Sequence, residues 1–161
     1  FHTSMTGELI AAAVGNTVLR HSFEPTGYMP EVHPDSEVFR AAVDYMLHNP
    51  SGLLNAIFAT RPRNLLGGAQ AHDSAAWLSG TIIGHDVSAA TNGKRSYQKM
   101  VLLGGGRLGP LYEVALRQVG LAPLIADADG AAIAGLLKAA SALWPNRFEE
   151  HVGRAMELSI E

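Results

Sequence analysis

The run Gly104-Gly105-Gly106-Arg107-Leu108-Gly109 places four glycines in six positions, directly after the apolar stretch at residues 100–103. An amphipathic stretch follows at once, so the run falls where a strand would pass into a helix. Glycines at such a junction let backbone come close to a bulky group, and the helix N-terminus offers unpaired N–H groups to it. The chemistry this arrangement suits is the handling of a nucleotide or its phosphates. Gly104-x-Gly106-x-x-Gly109 also has the form of a dinucleotide fingerprint, and Asp127 stands 18 residues past its last glycine, close to the place of a ribose-binding acid. That reading requires further strand–helix–strand units, for which only about 35 residues remain. No Lys-Ser/Thr follows the glycines, so the run is not a P-loop. A turn that needs glycine only for tight packing is the plainer alternative.

Other reactive side chains are sparse. The seven histidines (His2, His21, His33, His48, His72, His85, His151) show no pairing at three or four residues, the spacing that sets two ligands on one helix face. There is no cysteine and no Gly-x-Ser-x-Gly. Arg61 and Arg63, flanking Pro62, are suited to grip a carboxylate or phosphate, or are exposed structural arginines. Glu8 reads as a catalytic carboxylate or as a solvated acid in a first helical turn. His85-Asp86 lies inside a helical stretch, where solvent or a local hydrogen bond is the expected partner.

The elements that must position these residues are mostly helices. Thr6 is expected to cap a helix running to Val14, with Gly15-Asn16 as its stop. Prolines and a glycine make residues 22–35 a loop. Asp35 is expected to cap a second helix with Val38, Ala41, Ala42, Tyr45 and Met46 on one face. A short helix is read at 53–60, then a turn carrying Arg61-Pro62-Arg63 and Gly67-Gly68. A long helix starts at Asp73 or Ser74 and reaches about Ala90; Gly80 and Gly84 within it favour close packing against another helix. Asn92-Gly93 marks a turn before a strand at 98–103. Leu108, Leu111, Tyr112, Ala115, Leu116 and Val119 form a helical stripe closed by Gly120, and 122–126 reads as a second, parallel strand. A last strong helix begins after Asp127-Ala128-Asp129-Gly130, with Ile133, Leu136, Leu137 and Ala140 on one face, and the tail from Pro145 reads as a further helix. The strand–helix–strand–helix end implies an α/β layer, but two short strands make a poor sheet. Either the fold is mostly helical or other residues complete the sheet.

The 161 residues allow about one domain. With 47% apolar and 17% charged residues the composition is that of a globular protein. A net charge of −3 offers no electrostatic case for nucleic acid or an anionic membrane, no stretch suits a membrane span, and a cytoplasmic protein is the simplest expectation. The chain opens Phe1-His2-Thr3, without Met and already patterned, as a fragment of a longer chain would.

Five blocks of the sequence together resemble the second half of the 2-dehydro-3-deoxygalactonokinases, sugar-acid kinases of the actin-like and hexokinase-like superfamily. They are Phe1-x-Thr3-x-Met5-Thr6-Gly7-Glu8-Leu9; Phe58-x-x-Arg61 with Leu65-Leu66-Gly67; Leu78-Ser79-Gly80-x-x-Ile83-Gly84-x-Asp86-Val87; the glycine run through Tyr112; and Asp129 with Ala134-Gly135-Leu136. They stand in the family's order from residue 1 to about 140. The family's opening Asp-x-Gly-Thr phosphate loop and its Pro-Gly-Thr-His-x-Lys-Trp block do not occur here, and full members are about twice this length.

The resemblance implies an α/β fold. It would be the C-terminal lobe of an actin-like (ribonuclease H-like) ATPase, helix-rich with an incomplete parallel sheet, spanning residues 1–144 and followed by a helical tail at 145–161. It implies ATP and Mg²⁺ as cofactors and phosphorylation of 2-dehydro-3-deoxy-D-galactonate at its terminal hydroxyl, with this chain the nucleotide-side lobe and inactive by itself. Gly104, Gly105, Gly106 and Arg107, with Asp129 at the cleft edge, would serve the nucleotide. Thr6, Gly7, Glu8 and Arg61 would lie near the sugar acid, and the catalytic base stays unassigned. An unpaired sheet edge would favour association with the missing N-terminal lobe or a homodimer. Two other classes remain open from the residues alone, a Rossmann-type oxidoreductase domain and a non-enzymatic helical binding module.

Overall fold

The computed structural model describes residues 2–23, 27–91 and 100–145. The chain divides into two compact units, Phe1–Ile125 and Ala126–Glu161. The first holds α1 (Thr6–Asn16), a 3-10 turn (Val18–Ser22), α2 (Glu37–His48), α3 (Leu53–Phe58), α4 (Thr60–Gly67), α5 (Ala71–Thr91), β1 (Val101–Leu103) and α6 (Gly109–Gln118). β2 (Leu124–Ala126) runs across the end of this unit and pairs beside β1 in a two-stranded parallel sheet, with Leu124 N–H donating to the Met100 carbonyl at 2.8 Å.

α5 is the axis of this unit. Every residue from Ser74 to Gly84 is buried, as is Val87. A helix covered on all sides has no use for a polar face, which is why its sequence lacks a clear amphipathic stripe. The glycine pair does what its spacing predicts. A Cβ on Gly80 would stand 2.5 Å from the Phe39 carbonyl oxygen and 2.8 Å from Ala42 Cβ, and one on Gly84 would stand 2.8 Å from Val43 Cα. α2 and α5 therefore touch backbone to backbone.

That contact corrects the reading of α2. Its buried face is Phe39, Ala42, Val43 and Met46, one step round from the expected stripe, and Tyr45 is left at the rim with its ring 5.7 Å from that of Trp77. Both stripes have helical period; the flat glycine surface on α5 selects the one whose backbone can approach. The helix is capped by Ser36, whose hydroxyl accepts from Phe39 N–H at 3.3 Å, while Asp35 pairs with Arg40 at 3.0 Å instead.

Arg61-Pro62-Arg63 forms the first turn of α4 and not a turn between helices, because proline's missing N–H has no partner to lose there. Gly68, at φ +68°, ends that helix, and its N–H reaches the Arg63 carbonyl. Arg63 lies over the Trp77 ring at 4.0 Å, and Trp77 donates its indole N–H to the Ala56 carbonyl at 2.8 Å. Thr6 is the first residue of α1 and makes no cap; the preceding Met5 holds the cap position.

The strand pair is short, and Val101, Leu103, Leu124 and Ile125 all remain more than half exposed. The expected incomplete sheet is present as two strands. In the second unit, α7 (Ala128–Leu143) is capped by Asp127, whose carboxylate accepts from Gly130 N–H at 2.6 Å. None of its residues is buried, and Ile133, Leu136 and Leu137 lie in solvent, since a single helix cannot bury its own stripe. The expected turn at Asn92-Gly93, the first residues of the strand read from 98, and the tail beyond Pro145 lie outside the described residues. Among the described residues no helix is long and apolar enough to cross a membrane.

Candidate functional site

The glycine run forms a tight loop between β1 and α6. A Cβ on Gly104 would lie 2.9 Å from Gly109 Cα, and one on Gly109 would lie 3.3 Å from the Gly104 carbonyl, so the two ends of the run touch each other. Gly106 has φ +60°, a conformation that L side chains rarely adopt. Three of the four glycines are thus required by the loop itself. Its tip, Gly105-Gly106-Arg107, is exposed, and Arg107 forms no ion pair among the described residues. Leu108 precedes α6, and Pro110 stands in the first turn.

The start of α1 lies against this loop. A Cβ on Gly7 would meet Leu108 Cδ1 at 3.6 Å. The Thr6 and Tyr112 hydroxyls are 2.7 Å apart, Tyr112 donates to Asp86 Oδ2 at 2.7 Å, and His2 Nε2 donates to Asp86 Oδ1 at 3.0 Å. Ser4 and Thr6 share a further bond of 2.8 Å. The directions follow from proton count. An ionised carboxylate only accepts, so the single phenol proton goes to Asp86; Thr6 then donates to Tyr112, and Ser4 to Thr6. One chain of hydrogen bonds links the first turns of α1 and α6 to the buried helix α5.

Burial pushes the Tyr112 phenol up to about 12; the neighbouring Ser4 and Thr6 hydroxyls oppose that rise, and the bond to Asp86 and its charge add to it. The folded chain therefore holds this proton more tightly than the unfolded chain, whose phenol titrates near pH ~10. The stability it contributes is complete below about pH 10 and is lost as pH rises toward 12. The urea midpoint should fall further between those pH values in the native chain than in Tyr112→Phe. Equal falls in the two proteins would place the phenol in water.

The structure thus brings Thr6 and Gly7 beside the glycine loop that holds Gly104, Gly105, Gly106 and Arg107. Glu8 is exposed in the first turn of α1. Arg61 is half-buried on α4, whose main neighbours are the Val18–Ser22 turn, α5 and α3, and it is not part of the cluster. Asp129 stands in the first turn of α7 in the second unit. Asp127 spends its carboxylate on capping that helix, which leaves the dinucleotide reading without its ribose acid. Sequence reasoning missed Asp86 and Tyr112 as partners. The available signal was a carboxylate following a long run of apolar and small residues on one helix. Among the described residues no group of three or more His, Asp or Glu side chains is placed to hold a metal ion.

Residues 1–139 match the family model of 2-keto-3-deoxy-galactonokinase. A Rhizobium meliloti (strain 1021) protein, DgoK1, assigned as a 2-dehydro-3-deoxygalactonokinase, is 39% identical over 145 residues, covering 90% of this chain and 46% of the relative. The Escherichia coli (strain K12) 2-dehydro-3-deoxygalactonokinase is 27% identical over 143 residues, covering 89% of this chain and 47% of that protein. A crystal structure from Sinorhizobium meliloti, a candidate 2-dehydro-3-deoxygalactonokinase, superposes with a TM-score of 0.78 at 39% identity, covering 88% of this chain and 46% of the other. The chain spans about half the length of the curated relatives it matches.

Proposed function

The chain belongs to the 2-keto-3-deoxy-galactonokinase family, and from that premise we propose that it is the nucleotide-side lobe of an ATP-dependent sugar-acid kinase. The substrate is 2-dehydro-3-deoxy-D-galactonate. Its terminal hydroxyl oxygen attacks the γ-phosphorus of ATP, the bond to the bridging oxygen breaks, ADP leaves, and the hydroxyl proton is released. The observation that carries this reading is the family match over residues 1–139, in which the glycine loop and the Thr6-Gly7 segment come to lie side by side.

Phosphoryl transfer depends mainly on positioning and on neutralising charge. Gly104, Gly105 and Gly106 present backbone without side chains toward adenosine, and Arg107 supplies an exposed cation beside them. Asp129, in the first turn of α7, is the remaining residue proposed to serve the nucleotide. Thr6, Gly7 and Glu8 are proposed to lie toward the sugar acid, and Arg61, which stands apart from them on α4, is the further residue proposed for its carboxylate. No residue of this chain is assigned as the base. Mg²⁺ would accompany the phosphates of ATP and neutralise part of their charge.

The fold proposed for residues 1–144 is the C-terminal lobe of an actin-like ATPase. The two-stranded sheet, its apolar side chains exposed, supports association with the other lobe or, as a second reading, a homodimer. A kinase drawing on the cellular ATP pool works in the cytoplasm. The 161-residue chain is expected to bind ATP with Mg²⁺ in calorimetry and to leave 2-dehydro-3-deoxy-D-galactonate unphosphorylated. Turnover by the purified chain would overturn the single-lobe reading. Preference for NAD(H) over ATP would favour the oxidoreductase class, and no nucleotide binding at all the helical binding module.

A further inference from the structure

We infer that Tyr112, with Asp86 behind it, is the positioning residue that fixes the glycine loop against the start of α1. The inference rests on the reading of that loop as the seat of the nucleotide. Three observations carry it. Tyr112 stands in the first turn of α6, only three residues after Gly109, so the place of its ring sets the place of the loop. Its hydroxyl is shared between Thr6 on α1 and Asp86 on α5, at 2.7 Å each. Asp86 stands two residues past Gly84, at the end of the buried stretch of α5 that is locked to α2 through Gly80 and Gly84, and so provides a fixed anchor. Within the loop Leu108 packs against the core, but the tip Gly105-Gly106-Arg107 is exposed and mostly glycine and gains nothing from apolar packing. A directional bond between two charged or polar groups is what can hold it, and bonds to an ionised partner are the stronger kind.

The titratable groups at the phenol are few: Asp86 accepts from it, and His2 faces Asp86 from the other side. Tyr112 touches neither nucleotide nor sugar acid in this scheme. It acts through the loop, by holding nucleotide-side backbone and Thr6-Gly7 at one separation.

Tyr112→Phe removes only the hydroxyl and keeps the ring, while Asp86→Asn keeps a carbonyl oxygen that can still accept the phenol proton. Hydrogen exchange on the full chain without nucleotide is expected to quicken about 10-fold or more at residues 102–111 in Tyr112→Phe, with α2 and the middle of α5 unchanged. Asp86→Asn, whose amide oxygen still accepts the phenol proton but carries no charge, should fall between the native chain and Tyr112→Phe. ATP with Mg²⁺ should bind roughly 5-fold more weakly to Tyr112→Phe, and by a smaller factor more weakly to Asp86→Asn. Native exchange in the loop of Tyr112→Phe, or a uniform rise through α2 and α5, overturns the inference. Failure of ATP to slow exchange in the native loop counts instead against the nucleotide reading, and the contrast between the variants decides the clamp without it.

Discussion

Gly80→Ala is expected to destabilise the chain by about 2 kcal/mol, and Gly84→Ala by a similar amount, although alanine is the better helix former. Two effects compete. Alanine in a helix interior gains roughly 0.5–1 kcal/mol over glycine by limiting the freedom of the unfolded chain. Against this, the new methyl on Gly80 would stand 2.5 Å from the Phe39 carbonyl oxygen, and on Gly84 2.8 Å from Val43 Cα. Both obstacles are backbone, so no rotamer change removes them, and α2 must move away from α5. Overpacking of this kind typically costs about 1–3 kcal/mol, and separating the two helices also loosens Phe39, Val43 and Met46, all fully buried. Clash outweighs propensity. Gly15 supplies the control: it lies in α1 with nothing within 4 Å of its missing Cβ, so Gly15→Ala should stabilise by about 0.5 kcal/mol. Urea titrations followed by circular dichroism separate the cases. A Gly80→Ala chain as stable as Gly15→Ala would mean that the two helices do not meet at backbone contact.

Gly104→Ala should act on binding more than on folding. Its methyl would fall 2.9 Å from Gly109 Cα, again backbone, so the loop must open at its base. The core helices α2 and α5 are held by contacts that do not include this loop, and their unfolding midpoint should hardly move. ATP affinity, on the proposed reading, should fall by at least about tenfold, equivalent to ~1.4 kcal/mol, because the backbone that seats adenosine is displaced. Gly109→Ala meets its neighbours at 3.3 Å and should be milder. Gly106→Ala meets nothing but must hold φ +60°, which costs a non-glycine residue roughly 1–2 kcal/mol. Calorimetric titration with ATP ranks the three. Native affinity in Gly104→Ala would show that nucleotide does not depend on the shape of this loop.

These variants also divide what was legible in the chain from what was not. Helix positions followed from period and punctuation: α6 and α7 fall where apolar spacing and the signals at Gly120 and Asp127 put them, and α5 begins close to its start signal at Asp73 or Ser74. The glycine pair of α5 announced a close helix contact, because small residues four apart make a flat strip whatever lies opposite. The proline turn misled, since Arg61-Pro62-Arg63 suits a first helical turn as well as a loop. α2 misled in a subtler way. Two stripes offset by one residue both satisfy a 3.6 period, and only the partner helix distinguishes them.

The amino-acid sequence by itself determined the local geometry of this protein and its kinship. Periodicity, caps and glycine spacing are short-range properties, and the blocks from Met5-Thr6-Gly7-Glu8 to Asp129 are read along the chain in order. Tertiary structure alone decided which polar groups meet. Asp86 and Tyr112 are 26 residues apart, and Thr6 and Tyr112 are 106 apart. A hydrogen bond across such distances leaves no period in sequence, because it depends on how three helices pack and not on what each one is. Tyr112 looked like one more apolar position on α6, and Asp86 like a solvated acid on α5. Packing turned the first into a donor for the second, at the place where the glycine loop meets the start of α1.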